Sequence, residues 1–494
     1  MALGLASRAQ VATDEDLLSA CLRSCAARDN VIGISNWLLQ RAQRDRLVAR
    51  PTPLDSLAQW HFDSSTGFHH ASGKFFSISG LRAELASARS VRSIEQPIIH
   101  QPEVGVLGFI AKVSQGVLWL LAQCKDEPGN VSGPQLSPTV QATFSNYTRV
   151  HGGRAVPYVD RFLEDGAGLR VFSQVQPEHG RYFAKKRNLN ALMLVDDVEL
   201  ESERFRWVTL GELFWFLKRD FGVSMDARSV LSCLLQELSQ RFAVHLEGVS
   251  SSRANSVTGD GEFAHALRTS MFMRAGACHS DEWLKSWLNE QRATSSIRVT
   301  HMPLGELSTW SIDPLRVYSG QGHFHVAGFS VRAPFRERDA WSQPLFCQNA
   351  REPSSPGARP VIGFVCQRIR SRLHFLCRSS LEPGEPDHVC IAPTVVSRGE
   401  GTRETPFQDV ALEDWLFDSR ATVRLSANHS EEGGRFFRFV HEHRVVELPE
   451  EVALDAPPGF AWLTLNQIYS LMASQRVTIE ARNLLACLDP GEDA

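Results

Sequence analysis

The sequence predicts an α+β protein built from two tandem modules related by internal duplication, and three observations carry that prediction. Residues 108–142 align with residues 363–397 without a gap, and ten of the 35 positions are identical. The shared positions include Glu127/Glu382, Pro128/Pro383, Gly129/Gly384 and the Pro-Thr-Val runs at 138–140 and 393–395. Landmarks on both sides extend the match: Trp37, Pro53, Leu57 and Trp60 recur as Trp287, Pro303, Leu307 and Trp310 at a constant offset of 250. Finally, each half closes on a capping box, Thr209-x-x-Glu212 and Thr464-x-x-Gln467, ahead of an amphipathic run.

Each copy reads in the same order. A helical opening (14–49; 262–292) leads through proline to a Trp-bearing segment. Short apolar runs bounded by Gly, Pro or charge then read as strands: 75–79, 106–113 and 116–124, then 324–330, 361–366 and 373–378. Phe76 and Gly80 pair with Phe324 and Gly328, and Gln96-Pro97 with Gln343-Pro344. Downstream, Gly180-Arg181-Tyr182-Phe183 aligns by identity with Gly434-Arg435-Phe436-Phe437, and Ala227-Arg228 with Ala481-Arg482. The Ser/Asn/Gly-rich stretch 250–261 is the natural linker, so the modules are 1–249 and 262–494, packed as a pseudo-dimer of mixed sheets with flanking helices.

Composition excludes several function classes. At about 150 residues per domain, 494 residues suggest three domains, which the repeat replaces with two. The 52 Lys+Arg are outweighed by 56 Asp+Glu, which argues against nucleic-acid binding. No apolar run approaches the ~20 residues of a membrane span. The start turns acidic at residues 14–16 without a signal-peptide core, so the chain reads as cytoplasmic. Ten scattered cysteines offer no zinc-ligand spacing; buried reduced thiols and no metal are expected.

Duplication also acts as an internal control. Residues shared by both copies are most simply fold-keeping, as for Glu127/Glu382, Thr139/Thr394 and Arg181/Arg435, whereas polar residues confined to one copy are better functional candidates. The first copy is the richer: Lys125, Gln135, Ser137 and Gln141 face Ser380, Cys390, Ala392 and Val396. It continues through Ser145, Asn146, Tyr147, Arg149 and His151, and later carries Lys185-Lys186-Arg187-Asn188 opposite Phe439-Val440-His441-Glu442. Only seven residues are lysine, and three of them fall at these first-copy positions. Arg181, Lys185, Lys186 and Arg187 together suit a diphosphate, or form a solvated basic edge.

These segments resemble the NDP-hexose 2,3-dehydratases of deoxysugar biosynthesis. The resemblance is carried by 96–105, by 108–110 and by Lys125-x-Glu127-Pro128-Gly129-Asn130. It continues through LSPTVQAT at 136–143, SNYTxVHGG at 145–153, Trp341-x-Gln343-Pro344 and Ser430–Phe436, and spans essentially the whole chain. It implies two Nudix-like modules fused by duplication, a homodimer, and a 4-keto-6-deoxyhexose substrate on dTDP. The product would be a 3,4-diketo-2,6-dideoxy sugar passed to a 3-ketoreductase. No Nudix box occurs, so metal-dependent hydrolysis is not expected. Val396 and the lack of Asn-Tyr in 399–403 depart from the family pattern and point to a vestigial or structural second copy; Phe144 and Pro177 depart at the first pocket's edge.

The implied reaction sets chemical demands. The 4-ketone acidifies the proton on C3, so a base removes it, an acid protonates the departing 2-hydroxyl, and a donor holds charge on the ketone oxygen. No redox cofactor is required, and no Gly-rich dinucleotide fingerprint occurs. His151 is a candidate base or acid, or a loop histidine capping Gly152-Gly153. Tyr147 can protonate a leaving oxygen, stack on thymine, or simply fill the core, and Lys125 can hold the enolate oxygen or sit on an exposed turn. Gln135, Ser137, Thr139, Gln141, Ser145, Asn146, Arg149 and Asn188 are candidates for the substrate shell, and Trp60 for stacking, although its repetition as Trp310 favours structure. Glu127 and Glu178 read as structural. The rival functions are a non-catalytic nucleotide-sugar-binding protein and a degenerate Nudix hydrolase.

Overall fold

A computed structural model describes residues 14–87, 91–150, 152–164, 168–242, 260–320, 322–349, 360–397, 412–452 and 455–491. The fold is α+β with four sheets, two per copy. In the first copy a seven-stranded sheet runs Leu169–Pro177, Arg187–Leu194, Gly105–Ser114, Val117–Lys125, Phe205–Thr209, with Gln135–Ser137 and Val140–Ala142 added off this path. It is mixed, because Arg187–Leu194 pairs parallel to Gly105–Ser114 while the other neighbours are antiparallel. The second copy repeats this order from Thr422–Ser430 through Val440–Leu448 and Val361–Ile369 to Arg372–Glu382.

The helical openings are two helices each: Asp14–Ala26 and Val31–Arg44, then Asp260–Phe272 and Asp281–Thr294. The first opening stops short of its expected end, because Val48–Thr52 is a strand, and most of the expected linker lies outside the described residues. Both capping boxes form as expected. The hydroxyl of Thr209 accepts from the N–H of Glu212 and that of Thr464 from Gln467, with the reciprocal side-chain bonds present.

The copies exchange strands. Val48–Thr52 of the first copy pairs antiparallel with Phe324–Arg332 of the second, and Ser295–Met302 of the second pairs with Ser77–Ser87 of the first. The identity Gly80/Gly328 now has a cause: a Cβ on Gly80 would lie 2.8 Å from the Pro303 carbonyl oxygen, and one on Gly328 2.5 Å from that of Thr52. The Glu-Pro-Gly turns also dock across. Gly129 N–H donates to the Gly433 carbonyl at 2.8 Å, and Gly384 N–H to that of Gly180. A side chain at either glycine would strike the opposite copy's backbone, 1.7 Å from Phe436 O or Phe183 O.

These cross-copy bonds correct one register. Lys185 N–H donates to Gly384 O and Arg438 N–H to Gly129 O, both at 2.9 Å, and both residues have positive φ (52° and 53°). Lys185 is therefore the counterpart of Arg438, and Lys186 of Phe439. Matching Gly180-Arg181 to Gly434-Arg435 by identity is out by one residue, and Lys185 does have a basic counterpart. At the centre, Arg228 and Arg482 are almost fully buried. Each reaches the other copy: Arg228 Nη2 donates to Ser430 O at 2.8 Å and Arg482 Nη2 to Pro177 O at 2.5 Å. All ten cysteines are free and, Cys278 apart, buried. No helix of the described residues is long and apolar enough to cross a membrane.

Candidate active site between the two copies

A cleft opens where the first copy's seven-stranded sheet meets the second copy's turns. Lys125 ends the strand Val117–Lys125 and projects into it, with Nζ donating to Gln141 O at 2.9 Å and lying 3.8 Å from Glu127 Oε1. Burial pushes its ammonium below the ordinary lysine value, and the Arg336 charge adds to that. Gln141 donates Nε2 to Glu127 Oε1 at 3.2 Å, while its buried Oε1 has no hydrogen-bond partner. A buried orphan acceptor costs about 1–3 kcal/mol, so its placement in the cleft wall suits a ligand donor.

Lys186 lines another wall, donating to Glu103 O at 2.6 Å, with its pKa lowered by burial. Asn188 beside it donates to Glu178 Oε1 at 2.7 Å and accepts from Gly105 N–H at 3.2 Å. Trp60 forms an aromatic flank with Phe76 and His70, ring centroids 4.8 and 5.4 Å away, and its indole N–H is held by Ser342 O at 2.7 Å.

The second copy supplies the opposite wall. Arg435 donates twice to Gln101 Oε1, at 3.2 and 3.0 Å, with its guanidinium 4.1 Å from the Phe76 ring centroid. Arg336 donates to Asp126 O at 2.7 Å and pairs with Glu337 at 3.2 Å and Glu127 at 3.9 Å. Burial opposes the Glu337 charge, but the Arg336 and Lys125 charges and the hydrogen bonds it accepts together outweigh burial and hold that carboxyl down at about 2. The floor carries Asp226, in the first turn of the helix Met225–Phe242, and Glu432. Burial raises both, Asp226 well above its usual value and Glu432 to about 7; the Glu432 charge adds to the rise of Asp226, and those of Glu127 and Glu178 to the rise of Glu432.

Of the residues expected from sequence, Trp60, Lys125, Gln141, Asn146, Lys186 and Asn188 line this cleft. Gln135 and Ser137 instead line a smaller chamber beneath it, shared with Lys125, Glu127, Asp226 and Glu432. The other expected residues lie elsewhere, for identifiable reasons. The Thr139 hydroxyl ties strands together, accepting from Ile110 N–H and donating to Leu121 O, as Thr394 does with Val365 and Leu376. Ser145 bonds Thr143 at 3.1 Å. Tyr147 puts its hydroxyl on Val104 O at 3.3 Å and packs against the first-copy core.

The expected diphosphate run is split by its own turn. Lys185, in the left-handed region, turns out to Asp387 at 2.7 Å, and Arg187 pairs with Glu385 of the second copy. Arg181 is buried away from the cleft and Arg149 is exposed outside it. His151 lies outside the described residues. Glu127, read as fold-keeping because Glu382 repeats it, lines the cleft. Asp226 and Arg336 carry no local motif, Glu432 falls within Ser430–Phe436 without being singled out there, and inter-copy packing brings all three here.

At the mirrored position in the other copy the counterparts are aromatic. Tyr182 and Phe439 replace Arg435 and Lys186, packing with Phe324, Phe346 and Phe436 in a closed core where Tyr182 Oη meets His323 Nε2 at 2.8 Å. Elsewhere His429, His443 and Cys487 bring possible ligand atoms within 4.8 Å of one another. The Arg228 charge disfavours a cation there, and burial pushes the Cys487 thiol up to about 12.

The family profile described as NDP-hexose 2,3-dehydratase matches residues 32–234 and 281–488. This chain belongs to the NDP-hexose 2,3-dehydratase family. It is similar to a dTDP-4-dehydro-6-deoxy-alpha-D-glucopyranose 2,3-dehydratase of Saccharopolyspora spinosa, at 36% identity over 460 residues, covering 92% of this chain and 90% of the relative. Proteins of the same description from Streptomyces violaceoruber and Amycolatopsis orientalis are 35% and 33% identical. Each match covers 92% of this chain, with 96% and 89% of those relatives respectively. The 2,3-dehydratase family thus matches both copies on either side of the linker.

Proposed function

We propose that this chain is a hydro-lyase that removes the 2-hydroxyl of dTDP-4-keto-6-deoxyglucose in the inter-copy cleft, giving the 3,4-diketo-2,6-dideoxy sugar nucleotide. One observation carries the placement: Lys125, Gln141, Lys186 and Asn188, the polar residues that distinguish the first copy, converge with Arg336 and Arg435 on one cleft. Lys186, Arg435 and Arg338 provide cationic donors for the diphosphate, and the Trp60–Phe76 flank a face for the base.

Lys125 is the donor for charge growing on the ketone oxygen. Its ammonium donates to a neutral backbone carbonyl, Gln141 O, so a substrate oxygen can compete for it. The second copy keeps the aromatic packing that closes its mirrored pocket, which supports a structural role for that half. The Nudix-like ancestry of the modules, a homodimer and hand-off to a 3-ketoreductase belong to the same proposal. Purified chain incubated with the keto sugar and a 3-ketoreductase should yield a 2-deoxy sugar nucleotide. Binding with unchanged substrate would favour the non-catalytic alternative, and metal-dependent release of dTMP a hydrolase.

A further inference from the structure

We propose that Asp226 and Glu432, one from each copy, form the proton-transfer pair of this elimination. The inference rests on the dehydratase reading. Both carboxyls line the main cleft and the chamber beneath it, next to Lys125. Asp226 is 2% exposed, and its Oδ2 has no hydrogen-bond partner. Folding alone gains nothing from a buried, unpartnered carboxylate oxygen set beside a second acid.

The mirrored position makes the contrast. Tyr182 and Phe183 N–H donate to His179 O as Arg435 and Phe436 N–H donate to Glu432 O, so His179 is the counterpart of Glu432. Asp226 and Glu480 correspond likewise, each directly preceding the shared Ala-Arg pair. There the two groups are complementary: His179 meets Glu480 at 3.3 Å and Glu431 at 2.8 Å. The same backbone frame thus holds a complementary His–Glu contact at one site and two acids at the other. With one of the two acids ionised and the other protonated, the pair offers a base and an acid at once.

The chemistry balances. The ionised carboxylate takes the C3 proton, and the C–H electrons form the enolate whose O4 faces Lys125. The C2–O bond then breaks, and its electron pair leaves with the oxygen, which takes the proton of the other carboxyl and departs as water. The C3 enol shifts its proton to C2. The pair begins and ends with one proton.

The test uses the full chain with Asp226→Asn and Glu432→Gln, dTDP binding by calorimetry, product formation with a coupled 3-ketoreductase, and NMR of deuterium exchange at C3 in D2O. Each variant should bind dTDP within about 3-fold of wild type and lose about 10²–10⁴-fold in rate. The variant lacking the base should also lose C3 exchange, while the one lacking the acid keeps exchange without elimination. If Asp226→Asn does not fold, Asp226→Glu should remain active with a displaced pH–rate profile. Turnover within about 5-fold of wild type in either neutral variant, or an unshifted profile in Asp226→Glu, overturns the pair. An inactive wild type would instead overturn the dehydratase reading itself.

Discussion

Lys186 and Phe439 occupy equivalent backbone positions: the Lys186 carbonyl accepts from Glu178 N–H and the Phe439 carbonyl from Glu431 N–H, both at 3.0 Å. One side chain lines the open polar cleft, and the other is 1% exposed in an aromatic core. Replacing Lys186 with Ala should therefore weaken dTDP-sugar binding by at least 10-fold in calorimetry, since charge-assisted bonds contribute about 1.5–3 kcal/mol. Lys185→Ala should leave the dissociation constant unchanged, because Lys185 faces Asp387.

Phe439→Ala should act on stability. Deleting a buried phenyl costs about 3–5 kcal/mol, seen as a lower thermal midpoint, while the dTDP dissociation constant of surviving folded protein stays near wild type. A stable variant with lost binding would contradict the closed core described for the second copy.

Arg154 holds the turn that carries Arg336 and Arg338. It donates to Pro334 O at 3.0 Å, to Arg336 O and to Asp339 at 2.7 Å, and its N–H meets Glu337 O at 2.9 Å. The side chain is 59% exposed, so Arg154→Ala should fold normally. It should raise KM several-fold with little change in kcat, and Arg154→Lys should recover part of the loss. A kcat effect with unchanged KM would contradict a positioning role in binding.

Glu432 predicts a pH dependence of stability. Its carboxyl rises from 4.5 to about 7 on folding, chiefly through burial, so the native state holds the proton more tightly. The associated stability is full below about pH 4.5 and is lost as pH rises through 7. Thermal melts between pH 5 and 8 should fall more steeply for wild type than for Glu432→Gln; parallel slopes would contradict the shift.

Strand exchange predicts that the halves depend on each other. Residues 1–249 alone would leave Ser77–Ser87 without Ser295–Met302, and residues 262–494 would leave Phe324–Arg332 without Val48–Thr52. Each half expressed alone should be poorly soluble, and co-expression should restore a stoichiometric complex by size-exclusion chromatography. Two independently soluble, monomeric halves would contradict this coupling.

The duplication, the capping boxes and most strands were legible because each is local: periodicity, a cap spacing or a turn residue repeats in both copies. Lys125, Gln141 and Asn188 were legible for a related reason, since a shared fold isolates what only one copy keeps. Glu127 was misread because the same logic assigns shared residues to structure, while its cleft role depends on Arg336 approaching from the other copy. The basic run read as a diphosphate site or a solvated edge, and the backbone turn at Lys185 divides it, sending Lys185 to Asp387 while Lys186 lines the cleft.

By itself the sequence determined the duplicated α+β architecture, the family and the copy that carries the distinctive polar set. The near-neutral charge argued against nucleic acid but could not locate a site. The tertiary structure decided that the cleft lies between copies, that Asp226 and Glu432 line it together, and that the mirrored pocket is closed by Tyr182 and Phe439. Those contacts join residues some 200 positions apart through strand exchange and buried packing, and no local pattern encodes such distances.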